Sequence, residues 1–335
     1  MTNRIAAAAV ARTFTPAATP AAPVEASKDG ETRILGMKPL MALGVAAAVG
    51  AAALGGRALY LHVQDLKAPA FSGAIDGVNL LANPRLPRGI KPSTWGSPTG
   101  TLFGPVDAAT GRGKVLIDHV DQGQLGDCWF VAGEGAIADT TPKVFEDMLI
   151  EHPNGIMVRL PAGPTPISKD LPLRRDGTPL FAGSGPKDPV LWPAYVEKAV
   201  AARNSDGYRG LESGWARETF ELLLGTKAPM IAKPAGMMDD MAARLKNGQA
   251  VTLGSTNESV ASAAQLAALE RNGAHTNHMY VVRDVIPAKE GQEAQAVLFN
   301  PWGGEHPKPM NESDITLGFV GMDATDASYR WNASG

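Results

Sequence analysis

Apolar and polar residues follow three different rhythms along this chain, and each predicts a different element. From Trp129 to Ala138 a mostly apolar run follows a Gly-containing turn and reads as the opening of a helix. Within Val190 to Leu224, the stretch from Leu191 to Val200 is amphipathic at helical spacing. Pro193 falls in its first turn, where a missing N–H is tolerated. Met279 to Val285 and Ala296 to Phe299 are short, β-branched and apolar, as strands are. From Pro84 to Gly111 the chain is Pro- and Gly-rich with few periodic apolar positions, which predicts an extended lead-in. No internal repeat is present.

The first part of the chain lacks such rhythm. Residues 1–36 are rich in Ala, Thr and Pro, with too few large apolar side chains to offset chain ordering, and are expected to be disordered. Residues 37–63 form an apolar Ala/Gly-rich segment in which Leu40 to Gly56 carries no charge. Ala and Gly contribute little to insertion, and a spanning helix needs roughly 20 apolar residues, so the segment is marginal as a span. A membrane anchor or signal is the favoured reading, with membrane association through residues 40–63, and a buried Ala-rich helix is the alternative. It starts too far from Met1 for an ordinary signal peptide, although Met37-Lys38-Pro39 before an apolar run has the shape of one. In a spanning arrangement Arg4, Arg12, Lys28, Arg33 and Lys38 hold the N-terminus inside, leaving the remainder outside the cytoplasm. Without insertion or export the expectation is cytoplasmic.

Charge and composition narrow the function. The 335 residues carry 31 Lys and Arg against 34 Asp and Glu, a net charge of -3. That balance gives no electrostatic footprint for nucleic acid. The single cysteine, Cys128, excludes a disulfide within the chain and argues against a thiolate metal cluster. Taken alone, a lone Cys is a small buried hydrophobe.

Its surroundings change that picture. Asp121-Gln122-Gly123-Gln124-Leu125-Gly126-Asp127 leads by a turn straight into Cys128-Trp129-Phe130. Cys128 is thereby expected at a helix N-terminus, where unpaired N–H groups and the helix dipole favour a thiolate and lower its pKa. Gln122, across the turn, can add its side-chain N–H to the Cys128 backbone N–H to hold a developing oxyanion. A thiolate nucleophile needs a base, and the base needs an orienting group. His278 opens one predicted strand and Asn300 ends another, so adjacent antiparallel strands would let Asn300 accept the His278 ring N–H. An amide suffices as orienter when the working state is a thiolate–imidazolium pair. Trp302 would cover that bond from water. His275 and His306 read as exposed loop residues.

These segments resemble the calpain family of papain-like cysteine proteases. Gln122 through Trp129 looks like the family's catalytic-cysteine motif, Asn277-His278-Met279-Tyr280-Val281-Val282 like its histidine segment, and Phe299-Asn300-Pro301-Trp302-Gly303 like its Asn-Pro-Trp-Gly segment. Lys169-Asp170-Leu171-Pro172 and Leu191-Trp192 through Glu197-Lys198-Ala199 resemble two further motifs in the same order. The resemblance implies an α+β, papain-like two-lobed fold with the site in the cleft. A helical lobe over residues 80–225 would carry Cys128 on its central helix, and a β-rich lobe over 226–335 would carry His278 and Asn300. It implies Cys128 as nucleophile, His278 as base and acid, Asn300 as orienter, Gln122 in the oxyanion hole, and Trp129 and Trp302 as active-site support. No cofactor and no metal site is implied as required. Animal relatives bind calcium through acidic loops that cannot be matched here position by position, which leaves calcium dependence open. Gly133-Glu134-Gly135 interrupts a helix that is Ala- and Leu-rich in the family, and Asn277 stands where Gly is usual. Two interior glycines cost roughly 1 kcal/mol each, and Glu134 must find a partner or face solvent.

The expected function is endopeptidase hydrolysis of protein or peptide substrates through a covalent thioester. The same triad serves deamidation or transamidation of protein glutamine equally well. An inactive relative acting as a binding module is the third reading, motivated by the Gly133-Glu134-Gly135 interruption. Residues 258–274 are expected either as a flap beside the cleft or as a helix with Leu266 and Leu269 inward.

Overall fold

A computed structural model describes residues 74–327 and 329, apart from 76, 184–188, 232 and 234–235. It also describes two short strands, β1 (Val24–Ala26) and β2 (Thr32–Ile34). These pair antiparallel inside the stretch expected to lack structure. Three-residue strands in a lone ribbon are marginal by themselves, which is why composition did not reveal them. The rest of residues 1–36 and the apolar segment 37–63 lie outside the described residues. Among the described residues no helix is long and apolar enough to cross a membrane.

After β3 (Ala74–Ile75) and β4 (Val78–Asn79), the chain runs without helix to β5 (Thr94–Gly96), as its Pro and Gly content predicts. A helix-rich stretch follows: α1 (Cys128–Thr140) and α2 (Lys143–Met148). Strands β6 (Leu149–His152), β7 (Gly155–Leu160) and β8 (Gly163–Ile167) then form an antiparallel meander, and β9 (Leu171–Leu173) pairs with β5. Helices α3 (Trp192–Arg203) and α4 (Ala216–Leu224) complete this stretch. Gly225 caps α4 in the left-handed conformation at φ 68°, which an L side chain rarely adopts.

The remaining elements are β10 (Met230–Ile231), α5 (Met237–Lys246), β11 (Val251–Ser255), α6 (Ala263–Asn272), β12 (Met279–Ile286), β13 (Gln295–Phe299), β14 (Met310–Asn311), α7 (Glu312–Gly318) and β15 (Phe319–Ala324). Six of the strands form one antiparallel sheet in the order β10-β15-β11-β12-β13-β14. Helices and antiparallel sheets thus occur together in the chain without parallel βαβ units, an α+β fold.

Helix α1 organises one core. Trp129 through Ala138 are all buried, so the helix is surrounded rather than laid on a surface. It is continuous through Gly133-Glu134-Gly135. A Cβ on Gly133 would stand 2.5 Å from Thr219 Cβ on α4, and one on Gly135 would stand 3.2 Å from Val281 Cγ2 on β12. At both glycines a neighbouring element reaches into the space a Cβ would take, so their low propensity is offset by packing. Thr219 Oγ1 donates to the Trp129 carbonyl at 3.2 Å, locking the same contact.

Helix α3 departs from its predicted amphipathic character: Trp192 through Ala201 are buried, Glu197 and Lys198 included. Lys198 Nζ donates to Ser168 O and Ser168 Oγ at 2.9 Å each, and to Asp170 O at 2.5 Å. Three acceptors offset its desolvation, and burial lowers its pKa to about 7. A charged pair in sequence signals a solvated face only when no such internal partners exist.

The sheet is covered on both faces at its centre. Period-two alternation sends Met279 and Val281 of β12 into the α1 core, while Tyr280 and Val282 enter a second core with Met237, Met241, Leu269 and Phe319. Burying each such side chain contributes roughly 1.5–3 kcal/mol. Residues 258–274 resolve into the helix reading. Ser262 and Gln265 form a capping box on α6, Leu269 is buried and Leu266 half-buried.

Candidate active site

Three pieces of chain meet at the head of α1. Cys128 is the first residue of that helix, partly exposed. Gly123 makes the turn before it possible: at φ 68° its backbone crosses so close to the Phe181 carbonyl that no Cβ would fit. Gln124 N donates to Leu180 O at 3.1 Å and Gly183 N to Asp121 O at 2.9 Å, tying this turn to the 180–183 segment. Glu197 of α3 holds that segment in turn, its Oε2 accepting the Ala182 N–H at 3.1 Å.

The second piece is the start of β12. Ser255 Oγ accepts the His278 backbone N–H at 2.9 Å and donates to His278 O at 3.0 Å, which fixes the backbone there. Asn277 precedes it at φ 52°, a left-handed conformation that Asn tolerates better than most residues. The backbone N–H of the next residue, Met279, lies near enough to Cys128 to favour its thiolate. Contact between α1 and β12 thus brings the cysteine and the histidine segment together.

The third piece follows β13, which pairs antiparallel with β12 through Val281↔Phe299. Asn300, fully buried, has its Oδ1 2.8 Å from His278 Nε2 and accepts the Trp302 N–H at 3.1 Å. Its Nδ2 donates to Glu305 O at 3.3 Å. Two donors at one end and an acceptor at the other fix the amide orientation, and with it the histidine tautomer. Nε2 therefore carries the proton, leaving Nδ1 as the free lone pair. Trp302 stacks on His278 with ring centroids 4.5 Å apart, covering the bond. Gln122 N donates to Pro301 O at 2.9 Å, which joins the cysteine turn to this loop.

Other residues differ from expectation. The Gln122 side-chain amide donates to Leu125 O at 2.5 Å, so one N–H of the expected oxyanion donor is used within its own turn. Trp129 is buried and its Nε1 donates to Leu211 O at 2.7 Å, pinning the 211–214 segment under the helix head. His275 is not a free loop residue: half-buried, it stacks on Trp302 at 4.6 Å. His306 is exposed as expected, yet its Nδ1 accepts the Asn300 backbone N–H at 3.0 Å. Its polar, Pro-rich setting revealed the exposure but held no signal for that bond.

The electrostatics also depart from the sequence reading. Burial pushes the Cys128 thiol up to about 12, helped by the neighbouring Asp127 carboxyl, while the Met279 and Trp129 N–H groups pull the other way. Burial drives His278 down to about 3, against the bond to Asn300. Burial thus favours the neutral form of each group, thiol and imidazole. The helix-terminus effect predicted from sequence is real but smaller than desolvation. Behind Cys128 lie three buried carboxyls, Asp127, Glu134 and Glu197. Burial raises all three, Asp127 to about 7, and Asp127 and Glu197 interact directly. Neither oxygen of Glu134 has a protein partner. Among the described residues no group of three or more His, Cys, Asp or Glu side chains is placed to hold a metal ion.

A family model described as calpain family cysteine protease matches residues 110–309, more than half of the chain and the whole span from the cysteine turn to the loop after Asn300. No curated protein matches the sequence.

Proposed function

Because the chain belongs to the calpain family of cysteine proteases, we propose that it is an endopeptidase that cleaves protein substrates through Cys128, His278 and Asn300. The observation that carries this reading is the junction of α1 with β12 and β13. Cys128 opens α1 where that helix packs on β12, and His278, at the start of β12, is held by Asn300 at 2.8 Å with its Nδ1 unused. The two-lobed papain-like arrangement belongs to the same reading. Its lobes, 80–225 and 226–335, would be centred on the two main cores, with β12 contributing residues to both.

In the reaction, His278 Nδ1 takes the thiol proton as Cys128 sulfur attacks the scissile carbonyl. The Cys128 backbone N–H and the second Gln122 amide hydrogen receive the developing oxyanion. The imidazolium then protonates the leaving amine and a thioester remains. Water, deprotonated by His278, attacks that thioester, releases the acid and restores the thiol.

Full-length protein treated with a peptidyl electrophile of low intrinsic reactivity tests this, with and without calcium or chelator. Rapid labelling of Cys128 that His278→Ala abolishes is the expected result. Slow labelling of both proteins, whatever the calcium level, would sink it and leave a binding module. Product masses from casein decide the reaction: new peptide termini for hydrolysis, a gain of about one mass unit at glutamine for deamidation.

A further inference from the structure

Asn300 is held from more sides than the base it orients. Besides Oδ1 and Nδ2, its backbone N–H donates to His306 Nδ1 at 3.0 Å. The His306 ring lies against Phe299 with centroids 4.5 Å apart and planes 31° from parallel, so its in-plane position is fixed by packing. Glu305, whose carbonyl takes the Asn300 side-chain amide, sits at φ 54°, the strained bend that turns both acceptors toward Asn300. The Asn300 N–H has no water to fall back on, because the residue is fully buried. His306 itself is exposed and exchanges protons with solvent.

We propose that His306 is a positioning residue for catalysis: while neutral it locks Asn300 through Nδ1, and once protonated it releases Asn300 and with it His278. The inference rests on the reading of Asn300 as the orienter of the catalytic histidine. The chemistry is one of donor and acceptor. Neutral His306 offers a lone pair at Nδ1, whereas the imidazolium places a second N–H against the Asn300 N–H. Two donors cannot share a 3.0 Å contact, so the loop from Trp302 to His306 must shift. That loop also supplies the N–H to Asn300 Oδ1 and the ring over His278.

Charged groups face His306 from two elements. Asp118, in the short 3-10 helix Ile117–His119, favours its protonation, while Arg283 on β12 opposes it. The two are themselves paired at 3.3 Å, and the effect of Asp118 on His306 is the larger. Phe299 on β13 is apolar, and on its own segment Glu305 and Lys308 are exposed. Although the residue as a whole is exposed, desolvation of its ring, packed on Phe299, holds His306 below its usual value, on the neutral, locking side at physiological pH.

The test uses the full-length chain as wild type, His306→Asn, His306→Phe and His278→Ala. Iodoacetamide labelling of Cys128 is followed from pH 4 to 9, and the Asn300 backbone amide shift by NMR. Asn places an amide oxygen where Nδ1 was and does not titrate. It should keep the neutral-pH labelling rate within about threefold and move the acid midpoint down by about one pH unit. Phe keeps the stack but has no acceptor, and should slow labelling about tenfold at every pH, the equivalent of one lost hydrogen bond. In wild type the Asn300 amide shift should titrate with the same midpoint as labelling. Equal rates and midpoints in wild type and His306→Phe, with labelling still dependent on His278, would overturn the role of His306 alone. Labelling that ignores His278 would instead overturn the triad. An Asn300 amide shift that does not change while His306 titrates overturns the His306 contact regardless of activity or of how the variants fold.

Discussion

Thr219 on α4 closes over Gly133 on α1 so tightly that a Cβ on the glycine would stand 2.5 Å from Thr219 Cβ. No pair of carbon atoms tolerates that separation, so α1 and α4 can pack as they do only with glycine at this position. The Gly133→Ala variant should lose about 2–3 kcal/mol of stability, although alanine is the better helix former by about 1 kcal/mol. Gly135→Ala meets only the tip of Val281 at 3.2 Å and should change stability by less than about 1 kcal/mol. Urea unfolding of both variants separates the two cases, and equal losses would refute the packing argument.

Glu134 gives a stability term with a definite sign. Its carboxyl is held well above 4.5 by burial, with Asp127 adding to the effect. The folded state therefore keeps the proton while the unfolded chain releases it, and stability falls as pH rises above 4.5. Glu134→Gln cannot ionise, so its stability relative to wild type should improve as pH rises above 4.5. Denaturation at several pH values reads the slope. A constant difference would mean that Glu134 is charged in the folded protein.

His278 acts in the opposite direction. Its folded value of about 3 lies below the ordinary 6.5, so its contribution is full above pH 6.5 and is lost as pH falls toward 3. His278→Gln should lose less stability than wild type over that window, by about 1.4 kcal/mol for each pH unit. Because the buried carboxyls gain over part of the same range, only the comparison with the variant isolates the histidine. Identical acid profiles for the two proteins would sink the claim.

Asn300→Ala should lower kcat by about a hundredfold with KM nearly unchanged, since the amide orients the base and does not bind substrate. Trp302→Ala, which uncovers the bond without removing it, should cost about tenfold. Steady-state kinetics on casein-derived peptides distinguish these. A fall confined to KM would assign the loop to substrate binding instead.

The sequence carried the site's outline because its signals are local. The Gly-containing turn before Cys128, the apolar run after it and the β-branched stretches beside His278 and Asn300 each specify an element by nearby residues alone. The antiparallel register that puts Asn300 against His278 followed from those strands. What local pattern could not reveal depends on distant partners. Lys198 is buried because Ser168 and Asp170 supply acceptors, and Gly133 suits a helix because Thr219 fills the space beside it. The thiol pKa was misjudged for the same reason: a helix N-terminus is visible in sequence, but the depth at which it is buried is not.

Strand β12 contributes alternate residues to two cores, and that division orders events in time as well as space. Cys128 emerges from the ribosome long before His278 and Asn300, and no shorter chain can complete its partners. With the triad as proposed, every nascent chain ending before Asn300 lacks an oriented base.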